Sequence, residues 1–87
     1  TYMRNMNEIY DRLREIIASI INDDKLLCFE PYESFCENKI YFDSVELIQV
    51  MIEIESEFNI VLSDEEIIGG FDSLLDLYKM VIKYDSK

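Results

Sequence analysis

Eighty-seven residues allow one small domain and leave no room for two cores. Hydrophobic residues make up 49% of the chain, which excludes a disordered acidic tail despite a net charge of −11. Two glycines and one proline leave little material for hairpin turns, which argues for helices.

The pattern along the chain predicts a first helix over about Asn7 to Ile21. Ile9, Leu13, Ile16, Ile17, Ile20 and Ile21 recur at three- and four-residue spacing, while Glu8, Asp11, Arg12 and Glu15 take the other face. Asn22-Asp23-Asp24 ends it. From Lys25 to Tyr41 the periodicity is lost in a long connection containing Pro31, with Leu26, Leu27, Phe29, Phe35 and Ile40 as its expected anchors. A second helix is predicted over about Ser44 to Phe58, with Asp43 as N-cap and Glu46 three residues on as capping-box partner. Leu47, Val50, Met51, Ile54 and Phe58 form its main apolar stripe. Ile48 and Ile52 lie outside that stripe, as a broad buried face or as an apolar patch for partners. Ser63-Asp64-Glu65-Glu66 opens a short helix through Ile68, and Gly69-Gly70 stops it. A last helix, roughly Ser73 to Lys83, is expected to bury Leu74, Leu77, Tyr78 and Val81.

The architecture expected is all-α: a small four-helix bundle of three longer helices and one short one, with a long loop between the first two. It forms a single domain over residues 1–87, structured over about 7–84. Between Ile40 and Tyr78 the sequence holds ten acidic residues and no Lys or Arg. Such a surface repels nucleic acid and anionic membrane and speeds encounter with basic protein surfaces. No run is long and apolar enough for a membrane span, and no secretory leader is evident, so a cytoplasmic location and two free thiols, Cys28 and Cys36, are the expectation. The two cysteines have seven residues between them and no histidine to complete a metal site.

Two segments share a local pattern, Phe42-Asp43-Ser44-Val45 and Phe71-Asp72-Ser73-Leu74. Capping separates them. Asp76 stands at capping-box distance from Ser73, so Ser73 is expected to turn its hydroxyl onto the backbone. Asp43 can cap the second helix itself, leaving the Ser44 hydroxyl to face solvent. Without a histidine, Ser44 has no ordinary partner to make it a nucleophile of a hydrolytic enzyme. It is well placed to carry a phosphodiester, because helix N-termini favour negative charge. Ser44 is therefore a site to be modified, in a protein that is not itself an enzyme.

Asp43-Ser44-Val45-Glu46-Leu47, the helix ending Glu55-Ser56-Glu57-Phe58-Asn59-Ile60, the acidic turn Leu62-Ser63-Asp64-Glu65-Glu66 and the closing Phe71-Asp72-Ser73-Leu74-Leu75-Asp76-Leu77 together resemble an acyl carrier protein. The resemblance covers about Phe42 to Ile82 closely and the rest in outline. It implies a 4′-phosphopantetheine arm, taken from coenzyme A by a phosphopantetheinyl transferase and joined to Ser44. Its thiol would hold acyl groups as thioesters. Asp43 would border the site and assist the transferase. The helix starting at Ser44 would dock acyl-loading and acyl-processing enzymes with basic surfaces through Val45, Glu46, Ile48, Gln49, Ile52 and Glu55. The protein would act as a monomer, with Met51, Ile54, Leu62 and Ile67 as lining for a sheltered acyl chain or as ordinary core. Ile40-Tyr41-Phe42 before Asp43-Ser44, where fatty-acid carriers usually have a glycine, and Gln49 in a commonly acidic position favour a specialised polyketide, nonribosomal peptide or cell-envelope pathway. The alternatives are a housekeeping fatty-acid carrier and an acidic helical interaction module with no prosthetic group.

Overall fold

The computed structural model describes residues 5–85, and residues 1–4, 86 and 87 lie outside the described part. Four α-helices follow in order, α1 (Met6–Ile21), α2 (Ser44–Phe58), α3 (Asp64–Gly69) and α4 (Leu74–Asp85), with no strand among the described residues. The radius of gyration, 12.1 Å, is what a compact chain of this length should have.

Local chemistry accounts for the helix ends. Asn5 caps α1 through a reciprocal box with Glu8, at 2.9 and 3.1 Å. Both α1 and α2 stop on an asparagine in the left-handed conformation, Asn22 at φ 56° and Asn59 at φ 55°. The last helix begins at Leu74, one residue later than the sequence suggests, because Ser73 serves as its cap.

Ile9, Leu13, Ile16 and Ile17 of α1 are buried, as their spacing predicts, and Tyr10 and Ala18 join them. Tyr10 stacks on Tyr78 of α4 at 4.8 Å between ring centres. Burial, and secondarily the neighbouring Tyr78 phenol, pushes the Tyr10 hydroxyl's pKa upward. Against α1 pack Val50, Met51, Ile54 and Phe58 from α2 and Leu74, Leu77 and Val81 from α4, each fully or nearly buried. Side chains of this kind contribute roughly 1.5–3 kcal/mol each on burial. Leu47, expected in the same stripe, is only half-buried because it sits in the first turn of α2, at the edge of the core.

The connection between α1 and α2 differs from the sequence expectation. Asp24–Cys28 form a 3-10 helix, capped by the Asp23 carboxylate, which accepts from the Lys25 N–H at 3.0 Å. Turns follow at 31–32 and 35–39. Leu26, Phe29, Phe35 and Ile40 are buried anchors, but Leu27 is 47% exposed. Three residues per turn send neighbours in a 3-10 helix about 120° apart, so Leu26 and Leu27 cannot share the inward face. Arg14 secures the connection to α1 by donating to the Phe29 carbonyl at 2.7 Å.

Candidate functional site

Asp43 caps α2 and Ser44 begins it, and the cap is made without the Ser44 hydroxyl. Its carboxylate accepts from the Glu46 N–H at 2.7 Å, and the Glu46 carboxylate accepts from the Asp43 N–H at 3.0 Å. Two donors that a helix start leaves unpaired are thereby bonded. Ser44, the first helical residue, is exposed, and its hydroxyl makes no hydrogen bond among the described residues.

The start of α4 is built differently. Ser73 Oγ accepts from the Asp76 N–H at 3.2 Å, so this serine is the cap. The Asp76 carboxylate reaches past it and accepts from the Asp72 N–H at 2.8 Å. Asp72 in turn faces the connection: its carboxylate accepts from Ser34 Oγ at 2.5 Å and from the Cys36 N–H at 3.0 Å. Those two bonds, the Ser34 hydroxyl first, hold the Asp72 carboxyl below its ordinary pKa. Backbone bonds extend the junction, from Phe35 N–H to the Asp72 carbonyl at 2.7 Å and from Leu75 N–H to the Pro31 carbonyl at 2.9 Å.

Between the two helix starts lies an aromatic cluster. Phe35 contacts Phe42 edge-on at 5.6 Å and Phe71 at 5.9 Å, and Phe42 meets Phe71 at 5.1 Å. A groove of about 390 Å³ opens over this cluster, with Phe42 and Leu47, the residues on either side of Asp43–Ser44 and its first turn, in its lining together with Ile68 and Phe71. Of the residues suggested to shelter an acyl chain, Met51, Ile54 and Leu62 are buried in the core, Ile67 packs partly against it, and none lines this groove.

The residues expected to form a docking face divide into two groups. Val45, Ile48 and Ile52 are 66%, 51% and 55% exposed, and Gln49 beside them is exposed too. At positions i, i+3, i+4 and i+7 these four make one continuous strip along α2. Ile48 and Ile52 are therefore surface residues and not part of a broad buried face. The two carboxylates assigned to the same face have structural tasks. Glu46 closes the capping box, and Glu55 accepts from the Leu62 N–H at 2.8 Å, fastening the chain that leaves α2. The exposed strip is thus more apolar than its sequence suggested.

Val61 and Ile68, 79% and 84% exposed, are among the exposed apolar residues that escaped the sequence analysis. The run Ile60-Val61-Leu62 is apolar throughout, and only the structure separates the exposed Val61 from its buried neighbours. Among the described residues no group of three or more His, Cys, Asp and Glu could hold a metal ion, and no helix is long and apolar enough to cross a membrane. Cys28 and Cys36 are exposed free thiols. No protein-family model matches the chain, and a search of curated proteins returns no match.

Proposed function

We propose that the chain is an acyl carrier whose Ser44 receives 4′-phosphopantetheine from coenzyme A. One observation carries this reading: Asp43 and Glu46 cap α2 between themselves, leaving the Ser44 hydroxyl exposed and unbonded among the described residues. In the transfer, Ser44 Oγ attacks the phosphorus next to pantetheine in the diphosphate of coenzyme A. The bond to adenosine 3′,5′-bisphosphate breaks, that nucleotide departs with the electron pair, and the transferase removes the hydroxyl proton. The group, once attached, supplies a thiol on which acyl groups are held as thioesters.

The chain's own residues fit that attachment. The new phosphodiester would lie at the N-terminus of α2, where the helix dipole favours negative charge. Asp43 and Glu46 oppose it, but at an exposed site both effects are screened by water and salt. The box they form fixes the first turn, and with it the direction in which Ser44 points. In this reading the helices form a small four-helix bundle, with the connection before α2 as its crossing loop. The transferase and the acyl-loading and acyl-processing enzymes would meet Val45, Ile48, Gln49 and Ile52 with an apolar contact inside a basic rim. The sequence departures before Asp43 and at Gln49 favour a specialised pathway over housekeeping fatty-acid synthesis.

A helical interaction module without a prosthetic group is the second reading, and the exposed Val45–Ile48–Ile52 strip is what favours it. Intact mass before and after incubation with coenzyme A and a broad-specificity phosphopantetheinyl transferase separates the two. The carrier gains one phosphopantetheine on the wild type and on Ser73→Ala, and none on Ser44→Ala. No gain on any folded variant, repeated with transferases from other pathways, would favour the module.

A further inference from the structure

Tyr41 and Phe42 carry the chain from the connection into α2, and neither backbone makes a hydrogen bond among the described residues. The last tie before them is the Ile40 N–H, which donates to the Phe35 carbonyl at 2.8 Å. The next is the capping box of Asp43 and Glu46. That box closes the first turn on itself and leaves open the angle at which the turn meets the rest of the fold. Side chains must set it. Tyr41 is 67% exposed, so the task falls to Phe42.

Phe42 directly precedes the N-cap, and Leu47 is the fourth residue of the helix. Apolar residues at these two positions make a hydrophobic staple, which fixes the angle at which a chain enters a helix. Both are half-buried, and both line the groove beside the first turn. The Phe42 ring is backed by Phe35, which is fully buried, and by Phe71, two residues before the cap of α4. The start of α4 has no such pair, since the charged Asp72 precedes its cap.

We propose that Phe42 is a positioning residue for Ser44: backed by Phe35 and Phe71, it holds the first turn of α2 at the angle that presents the Ser44 hydroxyl to the transferase. Its consequence for modification rests on the carrier reading, while the staple itself belongs to the unmodified chain. Phe42 acts through Asp43 and Ser44 and not on the substrate. The exposed strip lies mostly further along α2, where Val50, Met51 and Ile54 anchor the helix in the core. Loosening the first turn therefore weakens the transfer step more than the encounter, because an attacking atom misplaced by about 1 Å can lose about a hundredfold in rate.

Two measurements on the full chain test it, in the wild type, Phe42→Ala, Phe42→Leu, Phe71→Ala and Val81→Ala. Val81 is buried in α4 outside the aromatic cluster, so its variant controls for general loss of stability. The first measurement is exchange of the Glu46 and Leu47 amides, bonded to the Asp43 carboxylate at 2.7 Å and carbonyl at 2.9 Å. Phe42→Ala should speed both about tenfold over Val81→Ala, and Phe71→Ala should speed them less. Phe42→Leu keeps an apolar side chain before the cap and should stay within about threefold of the wild type. The second is steady-state transfer from coenzyme A by a broad-specificity phosphopantetheinyl transferase. Phe42→Ala should lower kcat about tenfold with KM within about twofold, and Val81→Ala should change neither. Unchanged Glu46 and Leu47 exchange overturns the proposal, as does a raised KM at constant kcat. Equal losses in Phe42→Ala and Val81→Ala, or in Phe42→Ala and Phe42→Leu, overturn it too. A wild type that takes no arm from any transferase defeats the carrier reading instead, and the staple is then decided by the exchange rates alone.

Discussion

Phe42-Asp43-Ser44 and Phe71-Asp72-Ser73 are the same tripeptide at the start of two helices, and the fold gives them opposite divisions of labour. At α2 the aspartate caps and the serine stays free. At α4 the aspartate carboxylate is occupied by Ser34 and Cys36, and the serine caps in its place. What distinguishes a free hydroxyl from a structural one is therefore the partner of the residue before it. At Asp43 that partner is three residues away; at Asp72 it lies across the molecule.

The largest change should come from removing what the two starts share. Phe35 is 1% exposed and touches both Phe42 and Phe71. Phe35→Ala is expected to cost about 3–5 kcal/mol, the usual range for a buried phenylalanine. Urea unfolding would register it as a lowered midpoint, and a loss under about 1 kcal/mol would mean that the cluster does not support the two helix starts. A finer comparison sets the serines against each other. Ser73→Ala removes a cap and should cost about 1 kcal/mol. Ser44→Ala should stay within about 0.5 kcal/mol, as exposed substitutions without a structural task do. Equal losses in the same unfolding assay would erase the distinction between the sites.

The smallest effect concerns Asp72 and pH. Its carboxyl is held below the ordinary value, chiefly by the Ser34 hydroxyl and then by the Cys36 amide. A depressed carboxyl stabilises the fold fully above its unfolded pKa, about 3.9, and loses that contribution as pH falls through the lower folded value. The gap in urea midpoint between wild type and Asp72→Asn should then be constant from neutrality to about pH 5 and close below about pH 4. Because Asp72 is exposed the gap will be small. A gap that widens in acid would contradict the assigned bonds.

Much of the helical frame was legible because its signals are local. Asp43 and Glu46, Ser63 and Glu66, and the apolar spacing of α1 all act within one or two turns of themselves. The exposed Ser44 followed from the same short-range logic. What stayed hidden depends on distant partners. The Ser34–Asp72 bond joins residues 38 positions apart, and no periodicity announces it. The exposure of Ile48 and Ile52 depends on which face of α2 meets α1 and α4, a choice that the pattern of α2 alone left open. Glu55 looked like a docking charge because its partner, the Leu62 amide, belongs to the segment after the helix.

The seam between the connection and the start of α4 also bears on how the chain comes into being. Residues 31–36 find their partners in residues 72–75, through Phe35 N–H to Asp72, Cys36 N–H to Asp72, Ser34 to Asp72 and Leu75 N–H to Pro31. Synthesis runs from the N-terminus, so the stretch leading into Ser44 emerges with α1 to hold its first half but long before the start of α4 can fasten the rest. Until residue 75 has cleared the exit tunnel, the helix bearing Ser44 has its own cap and α1 beside it but not α4. Closing that seam is a late, long-range step, and it sets the moment at which a nascent chain first presents the finished surface around Ser44.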